Sequence, residues 1–303
     1  KQFMDGDYRS GYYRDQTIML ALGEVTLQEY YAQLFSDTNV ENEPHSAGRQ
    51  MNCHYGTRFI NDDGTWKDMT KIKITTTDLS PTAAQMPRIM GLGLASKLFR
   101  EDKNLHQFAT LSNNGNEIVF GTIGDGSTSE GIFLEAINAM GVLQIPVVMS
   151  IWDDGHAISV PVEKQTTKGS ISDALKGFAK ENGSNGIEIL KARGWNYPEL
   201  CAAYDKAAKI ARKTHTPVLV HVVELTQPQG HSTSGSHERY KSKKRLDWEK
   251  EYDCTVQFKK WILENNWASE DELEEVHKNS KKVVREAKNT AWKNYITPLK
   301  EEL

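Results

Sequence analysis

The stretch of residues 117–161 constrains this chain most, because it predicts a strand, a glycine turn, a helix and a second strand. An apolar run at residues 118–123 is broken by Gly124-Asp125-Gly126. Ser127 then stands three residues before Glu130, a capping-box pattern that predicts a helix beginning there. We therefore expect a β-turn-α-β unit.

The second strand of this unit ends in acidic residues. A strand-like run at residues 145–152 leads into Asp153-Asp154-Gly155. Parallel strands end at the same edge of a sheet, where open α/β folds bind ligands, so Asp125 should lie near Asp153 and Asp154. Glycines beside Asp125 and the following helix start suit a phosphate, and carboxylates next to phosphate require a hard divalent cation. The residues predict a magnesium and diphosphate site, and leave open whether Asp153 or Asp154 faces the ion.

This pattern resembles a known fingerprint. Gly124-Asp125-Gly126, twenty-six further residues and two adjacent polar residues are similar to the thiamine diphosphate motif, which usually closes on Asn-Asn rather than Asp153-Asp154. More broadly, the chain resembles the alpha chain of the decarboxylating component of 2-oxo acid dehydrogenase complexes, of the branched-chain type. Gly48-Arg49-Gln50-Met51 matches that type. The resemblance implies an α/β thiamine diphosphate-binding fold: a mostly parallel sheet with helices on both faces, and a helical C-terminal extension.

The resemblance also implies a cofactor site for thiamine diphosphate and Mg²⁺. Tyr13 and Arg14 match residues that hold the diphosphate, and an arginine can donate two bonds to one phosphate. The expected magnesium ligands are Asp125, Asp154 and the backbone carbonyl of His156, which replaces a tyrosine of the family. The full expected cofactor-binding set is Tyr13, Arg14, Ser80, Thr82, Gly124, Asp125, Gly126, Ser127, Asp154, His156 and His231.

Two histidines are expected to be catalytic. His231 lies in a Gly-His-Ser-Thr-Ser segment similar to the family's active-site loop, and histidine exchanges protons near neutral pH. His54 matches a histidine near the substrate end of the cofactor, where it would donate a hydrogen bond to a 2-oxo acid. The acidic pair that usually follows the loop serines is replaced by Gly235-Ser236, so phosphorylation control is unsupported.

The remaining patterns predict how the chain is organised. Strand and helix patterns alternate up to residue 225, and the charged, amphipathic residues beyond 245 predict two or three helices. We expect a cofactor-binding domain at residues 1–225, with its N-terminal part missing, and an active-site loop with a helical extension at residues 226–303. Residues 36–70 are polar and predict a long loop.

The helix predicted after residue 80 has identifiable residues at its start and in its middle. Ser80 and Pro81 suit the N-cap and first turn of a helix, and Gly91 and Gly93 predict close packing against it.

Composition excludes several classes of protein. The net charge of −4 argues against a nucleic-acid or anionic-membrane binder, and no apolar stretch approaches the roughly 20 residues of a membrane span. The three cysteines form no Cys-x-x-Cys pair, so disulfides and zinc are not expected. A reducing compartment follows, either the cytoplasm or the mitochondrial matrix.

The sequence thus predicts the alpha part of an enzyme that decarboxylates a 2-oxo acid and passes the acyl group to a lipoyl group. Its expected partners are a beta chain, or a fused beta half, that carries the activating glutamate, and a lipoyl-bearing acyltransferase. Pyruvate or acetoin dehydrogenase is the alternative within enzymes. A non-catalytic paralogue is the alternative outside them, because Asp153-Asp154 and Gly235-Ser236 depart from the family pattern.

Overall fold

The computed structural model describes residues 2–50, 52–232 and 237–302, which fold into two compact units. The first unit is built from Lys1–Ser10, Asp68–Lys73 and Pro81–Trp261. The second is built from Gly11–Lys67, Ile74–Ser80 and Ile262–Leu303. The chain therefore passes from one unit to the other several times.

The strands and helices of the described residues are as follows. The strands are β1 (Tyr8–Ser10), β2 (Ile74–Thr75), β3 (Val119–Gly124), β4 (Val147–Trp152), β5 (His156–Ala157), β6 (Val160–Pro161), β7 (Glu188–Arg193) and β8 (Val218–Val223). The helices are α1 (Gln16–Leu22), α2 (Leu27–Leu34), α3 (Gln85–Glu101), α4 (Gly131–Leu143), α5 (Val162–Gln165), α6 (Ile171–Ala174), α7 (Tyr197–Thr214), α8 (Lys243–Glu251), α9 (Cys254–Glu264) and α10 (Glu270–Glu301).

A parallel sheet forms the centre of the first unit. Its strands follow the order β1-β3-β4-β8-β7, and every neighbouring pair in this order is parallel. Strands β3 and β4 are in register from Val119 opposite Val147 to Gly124 opposite Trp152, so both end at the same edge. The predicted mostly parallel sheet is confirmed. Strand β1 was not predicted, because only three residues of the chain form it.

Alternating residues along the central strands fill a core on each face of the sheet. In β8, Leu219 belongs to the cluster that contains residues of α3 and α4, whereas Val218 and Val220 belong to the cluster that contains α7. Because successive side chains of a strand point to opposite faces, this division means that helices cover both faces. The near-continuous apolar run of β8 is explained by burial on both sides.

A close helix-to-sheet approach requires one of the two glycines of α3. A Cβ atom built at Gly93 would lie 2.9 Å from a methyl carbon of Val147, so a larger residue does not fit there. The prediction of close packing is confirmed at Gly93. The same prediction is wrong for Gly91, where an added Cβ would meet nothing within 4 Å.

Both predicted helix starts are wrong. The segment Asp125–Ser129 forms a 3₁₀-helix, and α4 begins only at Gly131, after Glu130, without a side-chain cap. Ser80 does not cap α3, which begins at Gln85. Ala83 has a left-handed backbone with φ of 61°, and this conformation prevents a continuous helix from Ser80.

The second unit joins an early helix of the chain to its last one. Helix α2 begins with a capping box between Thr26 and Glu29, and it packs against α10. Phe35 follows α2 and contacts the rings of Trp292 and Tyr295 of α10, at 5.2 and 6.3 Å between centroids. In the described part of the chain after β8, three α-helices, α8 to α10, are present, within the predicted two or three.

The predicted long loop is confirmed in the described residues 36–50 and 52–67, which contain neither a helix nor a strand, and a short 3₁₀-helix, Met69–Lys71, follows. The loop is nevertheless organised: the fully buried carboxylate of Glu43 accepts hydrogen bonds from the backbone N–H groups of His45, Ser46 and Gly48. Among the described residues, no helix has the length and apolar character that a membrane crossing requires.

Candidate active site

Two carboxylates meet where the central strands of the first unit end. Asp125 directly follows β3, and Asp154 lies two residues beyond the end of β4, its neighbour in the sheet. Burial, and then the negative charges of Asp154 and Asp153, raise the pKa of Asp125 to about 8. Burial also raises the pKa of Asp154. Full ionisation of both carboxylates near neutral pH is therefore favoured when a cation binds beside them.

Asp153 and Asp154 differ in what their side chains contact. One carboxylate oxygen of Asp153, Oδ2, lies 2.7 Å from Nε2 of His221, and the other, Oδ1, accepts the N–H of Gly155 at 2.8 Å. Both oxygens of Asp153 are thus engaged inside the protein. Asp154 accepts the N–H of His156 at 3.1 Å through Oδ1. The charge of Asp154 raises the pKa of Asp125 more than that of Asp153 does, which makes Asp154 the stronger candidate to share a cation with Asp125.

His221 is a site residue that the sequence analysis missed. It lies in β8 and is 1% exposed, with Nδ1 3.0 Å from the hydroxyl of Ser172 at the start of α6. The pair of His221 and Asp153 therefore joins the acidic turn to β8 and to α6. A histidine inside an otherwise apolar strand was the one available signal.

The glycine turn after β3 packs closely against the hairpin of β5 and β6. A Cβ atom at Gly126 would lie 2.8 Å from the Cβ of Ala157, so this position accepts only glycine without rearrangement. The side chain of Gln165 donates to the carbonyl of Gly126 at 2.7 Å. Gly124 and Ser127 are half-buried on either side of Asp125.

Thr82 is exposed, just before α3. The beginning of that helix is attached to β3, because the side chain of Gln85 donates to the carbonyl of Thr122 at 2.8 Å.

The ring of His156 lies beside Tyr240, which belongs to the second polar loop, residues 226–244. His156 begins β5, which pairs with β6 through His156 opposite Pro161. Its ring centroid is 5.8 Å from that of Tyr240.

His231 is half-buried and follows a turn in which the N–H of Gly230 donates to the carbonyl of Gln227. Gly230 has a φ of 71°, and a Cβ atom there would lie 3.2 Å from His237, so the two arms of the loop approach closely. Gly235-Ser236 lies outside the described residues, as does Met51.

The second unit brings together four other expected residues: Tyr13, Arg14, His54 and Ser80. His54 is 2% exposed, with Nε2 2.6 Å from the hydroxyl of Ser80 and Nδ1 3.2 Å from the carbonyl of Asn52. The ring of Tyr13 stacks on that of His54 at 6.2 Å, and the guanidinium of Arg14 lies over the ring of Tyr13 at 5.4 Å. A proton on Nδ1 of His54 would satisfy both contacts, with Nε2 accepting from Ser80.

The acidic residues of the first unit suit a magnesium ion that also binds phosphate. Within residues 2–50, 52–232 and 237–302, no group of three or more His, Cys, Asp and Glu side chains is placed to hold a metal by itself. Mg²⁺ is usually bound by one or two carboxylates together with phosphate oxygens and water, and Asp125 and Asp154 provide that number. The donor set fits Mg²⁺ with a diphosphate better than a metal enclosed by protein alone.

Comparison with known proteins identifies the family. The model of the family described as "Dehydrogenase E1 component" matches residues 1–299. The chain belongs to the dehydrogenase E1 component family. The expected resemblance is confirmed.

Three relatives from this comparison indicate which E1 enzymes the chain is similar to. It is 29% identical to 2-oxoisovalerate dehydrogenase subunit alpha 1, mitochondrial, of Arabidopsis thaliana, over 95% of this chain and 53% of that protein. It is 27% identical to 2-oxoisovalerate dehydrogenase subunit alpha of Bacillus subtilis, over 89% of this chain and 69% of that protein. It is 30% identical to pyruvate dehydrogenase E1 component subunit alpha of Rickettsia bellii, over 73% of this chain and 60% of that protein. The chain spans a little over half the length of the Arabidopsis thaliana and Rickettsia bellii proteins.

Proposed function

We propose that this chain is the alpha part of a thiamine diphosphate-dependent 2-oxo acid dehydrogenase of the branched-chain type. One observation carries the proposal: Asp125 and Asp154 follow two adjacent parallel strands that end at one edge of the sheet, burial raises the pKa of both, and the charge of Asp154 raises that of Asp125 further. Such a pair stays fully ionised near neutral pH only when a cation binds. The similarity to 2-oxoisovalerate dehydrogenase alpha subunits supports the choice of substrate class.

The proposed cofactors are thiamine diphosphate and Mg²⁺. Asp125, Asp154 and the carbonyl of His156 would hold the ion, while Gly124, Gly126 and Ser127 would let the backbone approach the diphosphate. Tyr13, Arg14, Ser80 and Thr82 would complete cofactor binding. When bound, thiamine diphosphate supplies the carbanion that adds to the 2-oxo carbon and accepts the electrons released with carbon dioxide.

The protein residues would then orient the substrate and move protons. We assign proton transfer to His231, and a hydrogen bond to the 2-oxo acid to His54. In the structure both ring nitrogens of His54 already have partners, so this donation requires Ser80 to release Nε2 and a proton to be bound at Nε2. The proposed partners are a beta chain or fused beta half with the activating glutamate, and a lipoyl-bearing acyltransferase. No nucleic acid or membrane partner is proposed, and the proposed compartment is the cytoplasm or mitochondrial matrix.

The domain division expected from the sequence belongs to the same proposal. Residues 1–225 would form the cofactor-binding domain, and residues 226–303 the active-site loop and helical extension.

Two alternative functions each have one supporting observation. The similarity to pyruvate dehydrogenase E1 alpha of Rickettsia bellii supports a pyruvate-cleaving enzyme. The replacement of Asn-Asn by Asp153-Asp154 supports a non-catalytic paralogue, because a second carboxylate opposes a bound diphosphate.

Reconstitution with the beta partner tests the proposal. We expect calorimetry to detect binding of Mg²⁺ and thiamine diphosphate, Asp125→Ala to weaken it by at least about 100-fold, and turnover of 3-methyl-2-oxobutanoate to exceed that of pyruvate. Absence of binding would favour the paralogue, and faster turnover of pyruvate would favour the other enzyme. His231→Ala should reduce acyl transfer far more than cofactor affinity, and an equal loss of both would contradict its role in proton transfer.

A further inference from the structure

A group of charged residues, two buried and one partly exposed, joins the end of the second polar loop to α8. The side chain of Lys241 is fully buried, and its Nζ lies 2.8 Å from Oε1 of Glu249, which is 2% exposed in its side chain. Arg245 contacts the same oxygen through Nε at 2.8 Å. Two cations therefore share one carboxylate, and this group has an excess positive charge inside the protein.

This group is attached to the turn that carries Asp154. The guanidinium of Arg245 donates through Nη2 to the carbonyl of Asp154 at 2.8 Å, and the same nitrogen lies 3.3 Å from the carbonyl of Leu225. On the other side, the ring of Tyr240, which precedes Lys241, contacts the ring of His156. The segment from Tyr240 to Arg245 thus contacts the turn at both of its ends.

The charges of the two groups are complementary. Asp125 and Asp154 follow the neighbouring parallel strands β3 and β4 and place two acidic side chains at the candidate active site. Lys241 is linked to the Asp154 turn through Glu249 and Arg245, whose guanidinium donates to the carbonyl of Asp154. A buried charge interacts over longer distances than an exposed one, because solvent screens it less.

We propose that Lys241 and Arg245 are positioning residues: Arg245 fixes the Asp154 turn, and Lys241 offsets the second carboxylate so that the site accepts a diphosphate together with its divalent cation. This inference rests on the proposed function and adds the residues that make Asp154 compatible with it. A purely structural role in anchoring α8 makes a different prediction, because then the effect of Lys241 on ligand binding does not depend on the charge of residue 154.

A double-mutant cycle separates these two roles. Lys241→Gln removes the charge and keeps a donor for Glu249, which also stays paired with Arg245; Lys241→Arg keeps the charge. Each of these substitutions is also introduced into a chain that carries Asp154→Asn. Lys243→Gln, at an exposed lysine, serves as the matched control. Each full chain is assembled with its beta partner, and binding of Mg²⁺ alone and of inorganic pyrophosphate with Mg²⁺ is measured by calorimetry.

We expect Lys241→Gln to weaken pyrophosphate binding about tenfold when residue 154 is Asp, and by about twofold or less when it is Asn, as for directly coupled neighbours. Mg²⁺ alone should bind at least as tightly to Lys241→Gln as to the wild type. Lys241→Arg and Lys243→Gln should stay within about twofold of their parents. Equal losses in the Asp and Asn backgrounds, or a loss in Lys241→Arg as large as in Lys241→Gln, would overturn the charge-offset role.

A second measurement tests the anchor without any ligand. In hydrogen exchange of the unliganded protein, Arg245→Gln should increase exchange of the amides of Gly155 and His156, whose acceptors belong to the Asp153-Asp154 turn. Unchanged exchange would overturn the anchoring role. If the wild type binds neither Mg²⁺ nor pyrophosphate, the proposed function fails and the charge-offset role fails with it, whereas the exchange result still decides the anchor.

Discussion

The aspartates at residues 153 and 154 show how adjacent identical residues acquire different roles from their surroundings. Both carboxylate oxygens of Asp153 have partners, His221 and the N–H of Gly155, whereas Asp154 accepts the N–H of His156 through Oδ1 and its charge acts on Asp125. Because His221 lies in the neighbouring strand β8, only the assembled sheet distinguishes the two aspartates. The chemistry of the site therefore depends on a buried pair 68 residues apart in sequence.

We predict that His221→Leu lowers the free energy of unfolding by about 2–3 kcal/mol, because it leaves an oxygen of the buried Asp153 carboxylate without its donor. Asp153→Asn is the matched variant: its amide can still accept from Gly155 and bond to His221, so it should cost less than about 1 kcal/mol. Urea denaturation followed by tryptophan fluorescence measures both. A His221→Leu variant as stable as the wild type would refute a structural role for the pair.

At the residue scale, the sequence predicts the convergence of Asp125 and Asp154 but not what supports it. The convergence follows from parallel strand order alone, because both residues follow strands that end at one edge. The contact from Arg245 to the carbonyl of Asp154 joins residues 91 apart, and no local pattern encodes it. Lys241 has no sequence signal either, since a lysine in a polar loop is ordinarily solvated.

At the scale of elements, the sequence predicts which segments are helices and strands better than where they begin. The spacing of apolar residues indicates which side chains an element buries, and burial is maintained in the folded protein. Elements with such spacing therefore form where the sequence predicts them, as in β3, β4, α7 and β8. Helix starts depend on hydroxyl groups that tertiary contacts can engage instead. The hydroxyl of Ser80 bonds to His54, and Ser127 lies inside the 3₁₀-helix Asp125–Ser129, so neither residue caps the helix predicted to follow it.

The end of α7 provides a prediction about pH. His215 terminates this helix with a left-handed backbone, and Nε2 lies 3.1 Å from the carbonyl of Gly115. Burial, and then the charge of Arg100, lower its pKa from 6.5 to about 4. As pH falls below 6.5, His215 is protonated in the unfolded chain but stays neutral in the folded chain until about pH 4. The free energy of unfolding therefore decreases between these pH values, by up to roughly 1.4 kcal/mol per pH unit.

His215→Asn should remove this dependence, because asparagine tolerates the left-handed backbone and does not titrate. Urea midpoints at several pH values between 4 and 7 would compare it with the wild type. The exposed His106→Asn variant is the control and should keep the wild-type slope. Parallel slopes for wild type and His215→Asn would exclude His215 as the source.

At the scale of the whole molecule, the second unit depends on contacts between residues far apart in the chain. Phe35 contacts Trp292 and Tyr295 of α10, and the side chain of Asn294 donates to that of Asn42 at 3.2 Å. We predict that Trp292→Ala lowers the free energy of unfolding by about 1–2 kcal/mol, through loss of its aromatic contacts. Val276→Ala, at a residue of the same helix that is 62% exposed, should change it by less than about 0.5 kcal/mol.

Chemical denaturation of both variants measures this difference. Equal midpoints for Trp292→Ala and Val276→Ala would mean that the aromatic contacts add nothing to the pairing of α2 with α10. The sequence predicts that helices follow residue 245, but it does not predict that the last of them packs on α2. An amphipathic pattern shows which face of a helix is buried, and not which element covers that face.

This pairing has a consequence for synthesis of the protein. Helix α2 leaves the ribosome early, yet its partner α10 begins only at Glu270. At translation rates of roughly 5–20 residues per second, α10 begins to appear roughly 10–50 seconds after the end of α2, and until then α10 cannot cover α2. The nascent chain thus exposes Phe35 while the parallel sheet is already being completed, and molecular chaperones have that interval in which to bind it.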